Sequence, residues 1–91
     1  MMSIADLHLD GNAAAGLLAE IFTFDVTSAH VVCDGCGMEG AVAGLAAYDL
    51  TMGAILRCPS CDTALMRVTR LRDRYCLDMR GTTVLTATAA R

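Results

Sequence analysis

Two cysteine pairs constrain this chain more than any other feature of its sequence. Cys33 and Cys36 form one Cys-x-x-Cys pair, and Cys58 and Cys61 form a second pair after the intervening residues 37–57. Four thiolates at this spacing are typical of a tetrahedral metal site, most often zinc, because two tight turns can each present two sulfurs to one ion. The sequence therefore predicts one zinc ion per chain, held by all four cysteines.

The length of the chain agrees with a fold that is stapled by metal. In a chain of 91 residues, a hydrophobic core alone gives marginal stability, and a structural metal commonly supplies the difference. We expect a small metal-stapled β-rich (α+β) domain: a zinc ribbon with two Cys-x-x-Cys knuckles and an antiparallel sheet, preceded by one short helix. The expected division is an N-terminal segment (1–27), the ribbon domain (28–88) and a frayed C-terminus (89–91).

The N-terminal segment contains the one helix that the sequence predicts. Asp10-Gly11-Asn12 is a turn and helix-start signal, in which Asp10 or Asn12 accepts a hydrogen bond from a free amide of the first turn. A helix over about residues 12–22 follows, and its apolar face consists of Ala14, Leu17, Leu18 and Ile21. Because so short a helix is marginal alone, we expect it to pack on the ribbon or on a second copy of the chain. The apolar content of 55% predicts an exposed patch and favours a homodimer.

Short β-strands are predicted on both sides of each knuckle, where alternation and turn signals mark them. Arg74–Arg80 shows the most regular alternation, and Asp78 is expected to pair across a hairpin with Arg67 or Arg70. The predicted strands, in chain order, are Ala29–Cys33, Ala43–Leu50 (returning from the first knuckle), Ala54–Arg57, Thr63–Leu71, Arg74–Arg80 and Thr82–Ala87.

Charge is distributed unevenly along the chain, whose formal net charge is −3. All seven cationic residues are arginines at or after Arg57, whereas residues 1–56 hold seven acidic residues and no Lys or Arg. This pattern indicates either two solvated faces of opposite sign or a small basic surface for nucleic acid or an acidic partner. An acidic total with only two Tyr and two Phe disfavours nucleic-acid binding, which usually needs a basic groove with aromatic platforms. An unidentified protein is the favoured partner.

Neither a secretory signal nor a membrane span is predicted. Met1–Gly16 has no Lys or Arg and contains Asp6 and Asp10, whereas a secretory signal begins with a positively charged region. No apolar run approaches the roughly 18 residues that span a bilayer. We therefore expect a cytoplasmic protein with reduced thiols, a condition that favours metal binding over disulfides for the paired cysteines.

Three further residues are candidates for chemistry. Cys76 is expected to be a spare, half-buried thiol rather than a fifth ligand. His30 lies three residues before Cys33 and is expected to be an ordinary strand residue, although a histidine there can also replace a sulfur or donate to one. His8 has no partner that the sequence identifies. No catalytic set of residues emerges, and a closed four-sulfur site has no open position for substrate, so we expect no enzyme activity.

Several runs of residues together resemble a known family. These runs are Leu9-Asp10-Gly11-Asn12-Ala13, Leu18-Ala19-Glu20-Ile21-Phe22, Cys33-x-x-Cys36-Gly37, Leu56-Arg57-Cys58-Pro59-x-Cys61 and Leu77-Asp78-Met79-Arg80-Gly81. They resemble a family of small bacterial proteins, common in actinobacteria, that is catalogued only as a domain of unknown function. The resemblance covers roughly residues 7–86, implies the same metal cysteines and supplies no activity. The chain departs from the family pattern at position 76, where a large apolar residue is usual and Cys76 stands here.

Four functions are compatible with these observations. The favoured one is a structural zinc ribbon that serves as a protein-interaction module. The second is a rubredoxin-like electron carrier with one iron in the same four thiolates, associated with a redox system. The third is a nucleic-acid-associated ribbon that binds through Arg67, Arg70 and Arg72, and the fourth is a thiol redox switch.

Overall fold

Eight short β-strands in two antiparallel sheets make up most of the fold. The computed structural model describes residues 9–50 and 52–88, which also contain one α-helix, α1 (Ala15–Ala19). The strands are β1 (Leu9–Asp10), β2 (His30–Cys33), β3 (Glu39–Ala41), β4 (Ala46–Leu50), β5 (Gly53–Arg57), β6 (Ala64–Arg70), β7 (Tyr75–Asp78) and β8 (Thr82–Thr86). Among these residues, no helix is long and apolar enough to cross a bilayer.

The larger sheet has five strands in the order β1-β4-β5-β6-β7, and successive hairpins join β4 to β7. The β4–β5 hairpin turns at the predicted position, and its register places Tyr48 opposite Ile55. The predicted strand Thr63–Leu71 corresponds to β6, and the predicted strand Arg74–Arg80 is limited to β7. The β4–β5, β5–β6 and β6–β7 hairpins therefore follow the local alternation and turn signals of the sequence.

The smaller sheet has three strands in the order β3-β2-β8, and its arrangement corrects one prediction. The strand that returns from the first knuckle is β3, which pairs with β2. Ala43–Leu50 was expected in that role, but a 3-10 turn over Val42–Gly44 redirects the chain, and β4 joins the larger sheet. The last strand, β8, pairs with the other side of β2, with a bulge between Val32 and Cys33.

The N-terminal helix is shorter than predicted. The Asp10 side chain accepts a hydrogen bond from the Asn12 amide at 3.1 Å, as expected of a cap, but it opens a 3-10 turn over Gly11–Ala14. The α-helix itself therefore begins only at Ala15. Gly16 lies inside it with no neighbour near its open side, so this glycine lowers helix propensity without a compensating contact.

One hydrophobic core connects α1 with both sheets. Leu18 of α1 is buried in the same cluster as Val31 of the smaller sheet and Leu65 and Met66 of the larger one. The predicted apolar face of the helix is used here, since Ala14 and Leu18 are buried and Leu17 and Ile21 pack against the cluster. The described helix α1 and the 3-10 turn before it therefore pack on the chain's own β-strands.

The expected ion pair of Asp78 does not form. Asp78 lies opposite Arg67 in the register of β6 and β7, yet its carboxylate accepts hydrogen bonds at 3.1 Å from the backbone amide and the Nε of Arg80. Arg70, the other predicted partner, bonds Glu20 at 2.6 Å. Arg80 is thus the ion-pair partner of Asp78, and Glu20 is the partner of Arg70. The predicted frayed C-terminus, 89–91, lies outside the described residues, as does His8.

Candidate metal centre

The four cysteines predicted as metal ligands lie together in the structure. Their sulfur atoms all fall within 4.8 Å of one another. The two shortest separations run between the pairs, at 3.6 Å from Cys33 Sγ to Cys61 Sγ and 3.6 Å from Cys36 Sγ to Cys58 Sγ. Metal–sulfur bonds of about 2.3 Å in a tetrahedron place sulfurs about 3.8 Å apart, so the cluster has the dimensions of a four-thiolate metal site.

Each cysteine pair is held by an equivalent set of backbone hydrogen bonds. Equivalent residues of the two pairs lie 25 positions apart in the chain. In the first knuckle, the Gly37 amide donates to the Cys33 carbonyl at 2.9 Å, and the Gly35 amide donates to Cys33 Sγ at 3.3 Å. The second knuckle repeats them with Asp62 N to the Cys58 carbonyl at 2.9 Å and Ser60 N to Cys58 Sγ at 3.4 Å. The two turns therefore hold their cysteines in equivalent positions around the candidate metal site.

Each knuckle turns at a residue with a positive φ angle. Gly37 has φ of 77° in the first knuckle, and Asp62 has φ of 66° at the equivalent position of the second. Among the described residues, Asp62 is the only non-glycine residue with positive φ. This conformation is unfavourable for residues with a Cβ atom, and less so for Asp than for most. The second knuckle therefore carries a small local strain that the first avoids.

Replacing Asp62 with glycine tests this strain. We expect Asp62→Gly to stabilise the protein by about 0.5–1 kcal/mol, because glycine adopts positive φ at little cost and the Arg57 contact that is lost is exposed and long, at 3.8 Å. The measurement is the urea midpoint of the metal-loaded protein. Asp73→Gly is the matched control, since Asp73 is equally exposed and has negative φ, and it should lower the midpoint. Equal effects of both variants would contradict the strain.

The four thiols divide into an inner and an outer pair. Cys33 and Cys58 are buried in the hydrophobic core, at 1% and 2% exposure, whereas Cys36 and Cys61 are exposed. The site thus lies at the boundary between core and solvent, with one sulfur of each knuckle on either side. Arg57 adds a further support to the second knuckle, since its Nη1 donates to the Asp62 carbonyl at 2.9 Å.

Thr63 acts on the thiol of Cys61. Its hydroxyl, 3.0 Å from Cys61 Sγ, and its backbone amide both stabilise the thiolate and lower the pKa of Cys61 to about 6. The Met38 amide also lowers the pKa of Cys36, but partial desolvation and the bonds to the other three cysteines outweigh it and raise that pKa to about 12. The two Thr63 contacts therefore favour the thiolate form of Cys61, which is the form that binds a metal ion.

A conservative change at Thr63 should weaken metal binding. Thr63→Val removes the hydroxyl but keeps the shape and the backbone amide, and we expect about tenfold lower zinc affinity, within the range for groups that support metal ligands. The measurement is competition with a chromophoric chelator. Thr83→Val is the control, because its hydroxyl bonds Asp34 Oδ1 at 3.4 Å and touches no cysteine. Equal affinities of the two variants would show that the Thr63 hydroxyl has no role at the site.

The other predicted candidates lie outside the cluster. Cys76 is exposed on β7 rather than half-buried, and it does not belong to the group of sulfurs that can share a metal. His30 is an exposed residue of β2 and also lies outside this group, as expected for an ordinary strand residue. Thr63 and Asp62 were not identified from the sequence. The equivalence of the two knuckles in sequence was the signal that could have identified them. Asp62 corresponds to Gly37 of the first knuckle, and Thr63 corresponds to Met38.

The fold and the clustered thiols define a class: small, β-rich proteins with a four-cysteine candidate metal site that joins two antiparallel sheets. The chain belongs to a family of unknown function, DUF6510, which matches residues 5–90. This match confirms the family resemblance noted in the sequence, and it covers nearly the whole chain. No curated protein and no solved structure gives a significant match.

Proposed function

We propose that this protein is a zinc ribbon, in which one zinc ion bound by Cys33, Cys36, Cys58 and Cys61 has a structural role. The observation that carries the proposal is the equivalence of the two knuckles, which lie at the turns of the β2–β3 and β5–β6 hairpins and direct all four sulfurs to one point. Four thiolates in tetrahedral arrangement are the commonest closed coordination of structural zinc.

The residues around the site explain what the zinc would do for the fold. Cys33 ends β2 of the smaller sheet, and Cys58 follows β5 of the larger one, so a shared ion ties the two sheets at their junction. Both sulfurs are buried, and each also accepts an amide hydrogen bond, which favours the thiolate that a metal requires. A bound zinc supplies fixed bonds between the two hairpins, in addition to their packing in a small core.

This assignment makes the protein an interaction module rather than an enzyme. Four protein sulfurs fill a tetrahedral zinc and leave no position for water or substrate. A protein partner would instead meet the exposed apolar side chains at the far ends of the hairpins, which include Met52, Leu71 and Tyr75 at 58%, 41% and 40% exposure. The Arg70 amide bonds the Met52 carbonyl and so holds two of these tips together.

Nucleic acid is a weaker candidate for the partner. Four of the arginines in the described residues form ion pairs with acidic side chains: Arg57, Arg70, Arg74 and Arg80. These pairs neutralise most of the basic surface that phosphate binding would need. Arg67 and Arg72 remain for such contacts, which is a small electrostatic footprint.

A single-iron electron carrier is the second candidate. The observation that favours it is the exposure of Cys36 and Cys61, together with the amide hydrogen bonds to Cys33 and Cys58. Exposed ligands shorten the path of an electron to a partner, and amide bonds to sulfur raise the reduction potential of an iron–thiolate site.

Metal analysis of the purified protein tests both candidates. We expect one zinc per chain by elemental analysis and no absorption band in the visible. One iron per chain with sulfur-to-iron charge-transfer bands would replace the zinc proposal with the electron carrier. Protein that is folded and contains neither metal would contradict both. Cys36→Ser, which changes an exposed ligand and alters no buried side chain, is the control and should lose the metal.

A further inference from the structure

We propose that a second copy of this chain docks along the open edge of β7, so that the two five-stranded sheets join into one antiparallel sheet across a twofold axis at Cys76. Within residues 9–50 and 52–88, β7 ends the larger sheet and has β6 as its one neighbour there. Tyr75 and Cys76 are exposed on it. An open edge strand with unpaired backbone groups is a template for pairing with another strand.

The register shows which backbone groups point away from β6. The Leu71 amide donates to the Arg74 carbonyl at 2.8 Å, and these two residues continue the β6–β7 register, so they are a hydrogen-bonded pair. Hydrogen-bonded and non-hydrogen-bonded pairs alternate along an antiparallel ladder. Cys76 and Asp78 therefore also direct their amide and carbonyl groups to β6. The β7 residues whose amide and carbonyl groups face the open edge are Tyr75 and Leu77.

These outward groups select one symmetric arrangement. When the twofold axis passes at Cys76, Tyr75 of each copy exchanges both hydrogen bonds with Leu77 of the other copy, and all four bonds lie within the strands. Axes at Tyr75 or Leu77 would extend the pairing into the loops. The arrangement places the two Cys76 residues opposite each other as a non-hydrogen-bonded pair, with Cα atoms about 4.5 Å apart.

The side chains of β7 match themselves in this arrangement. Arg74 of one copy lies opposite Asp78 of the other on both sides of the axis, on the face that carries Cys76. On the other face, Tyr75 lies opposite Leu77, which pairs an aromatic with an aliphatic side chain. Opposite charges and apolar pairs directly across two strands are each favourable, so the four-residue strand is self-complementary in charge and in hydrophobicity.

The charged residues are available for such exchange. In the single chain, Arg74 bonds its neighbour Asp73, and Asp78 bonds Arg80, both at 3.1 Å. The side chains of Arg74 and Arg80 are 70% and 89% exposed. Exposed pairs of this kind contribute little to stability, and so they yield readily to cross-strand partners.

Other surfaces match a second copy less well. The apolar face of α1 is taken up by the chain's own core, and β1 has only two residues. Of the two outer strands of the smaller sheet, β3 has only three residues, and β8 consists of Thr, Val and Leu and offers no charge complementarity. At the edge of β7, the outward backbone groups, the charges and the apolar side chains all complement those of a second copy.

Sedimentation equilibrium of the full chain under reducing conditions tests the charge match. We expect a monomer–dimer equilibrium in which Arg74→Asp and Asp78→Arg each weaken dimerisation about tenfold, because each places like charges opposite each other twice. The variant with both changes restores the opposite charges and should return to within about threefold of the wild type. Arg72→Asp is the control: it makes the same charge change outside β7 and should leave the dimer nearly unchanged.

A proline variant tests the backbone contact. Tyr75→Pro removes an outward amide that β6 does not use, so the single chain should keep its circular dichroism and metal content and lose the dimer. Protein that is monomeric at several hundred micromolar would overturn the proposal. A dimer that survives both Tyr75→Pro and the charge variants would also overturn it, since the contact would then lie on another surface such as β8.

Mild oxidation with diamide tests whether the twofold axis passes at Cys76. The two Cys76 thiols would give up two protons and two electrons to diamide, which becomes the hydrazine, and one intermolecular disulfide would form. The Cα separation of about 4.5 Å lies within the disulfide range. We expect a covalent dimer that mass spectrometry maps to Cys76 in both chains and that Cys76→Ser abolishes. Covalent dimers linked only through other cysteines would contradict the twofold axis at Cys76.

Discussion

Cys58→Ser is expected to leave the protein without metal and largely unfolded at 25 °C. Structural zinc contributes on the order of 10–16 kcal/mol of apparent binding free energy in small domains, which is as large as the whole stability of a typical domain. Serine is a poor ligand for zinc, and at 2% exposure it would also bury a hydroxyl group in the core. The measurements are zinc content by elemental analysis and secondary structure by circular dichroism.

Two further variants separate loss of metal from damage to the core. Cys36→Ser changes an exposed ligand and should also lose zinc and unfold, although no buried position is altered. Cys76→Ser removes an exposed thiol outside the cluster and should keep one zinc and the wild-type melting temperature. If both ligand variants melted at the wild-type temperature, the metal would not be the staple of this fold.

Gly81→Ala is expected to destabilise the protein by about 3 kcal/mol, which corresponds to a fall of roughly 10–20 °C in melting temperature. Gly81 is buried in the turn between β7 and β8. A Cβ atom there would lie 2.0 Å from the Ala64 carbonyl oxygen and 3.0 Å from Leu65 Cα. Both are backbone atoms of β6, so a strand or the turn must move.

The position of Gly81 adds to the expected effect. Its carbonyl accepts a hydrogen bond from the Asp34 amide at 2.9 Å, so the same residue contacts the first knuckle and the strand that leaves the second. Thermal unfolding of the zinc-loaded protein measures the change. Gly16→Ala is the matched control, because no atom lies within 4 Å of its added methyl group and alanine favours the helix by about 1 kcal/mol. A similar melting temperature for both variants would contradict the close packing at Gly81.

Local patterns were sufficient for the β4–β5, β5–β6 and β6–β7 hairpins and for the grouping of the cysteines. Turn signals at Met52-Gly53 and Arg72-Asp73 and the alternation of β6 are properties of neighbouring residues, and each hairpin follows directly from them. The Cys-x-x-Cys spacing works in the same way, because the sulfur positions depend on one tight turn each. That these sulfurs hold a metal stays a prediction until the metal is measured.

The smaller sheet was beyond such local patterns. The pairing of β2 with β8 depends on residues far apart in the chain, and no sequence signal states which strand a distant segment will join. The segment from Ala41 to Ala47 is rich in small apolar residues without alternation, so the predicted strand Ala43–Leu50 includes the last two residues of the 3-10 turn at Val42–Gly44. The helix was overestimated because its apolar spacing continues to Ile21, while Gly16 and the 3-10 turn shorten it.

The position of β8 beside β2 also sets the order in which the chain can fold. The β4–β5, β5–β6 and β6–β7 hairpins pair segments that are close in sequence, and they can form as soon as they are synthesised. β2 gains its second neighbour only when Thr82–Thr86 has been made, because His30 pairs with Thr86 near the end of the chain. Closing so long a loop is the slow, entropically expensive step. During synthesis, β2, which ends at Cys33 of the candidate metal site, therefore lacks its second neighbour until Thr82–Thr86 has been added to the chain.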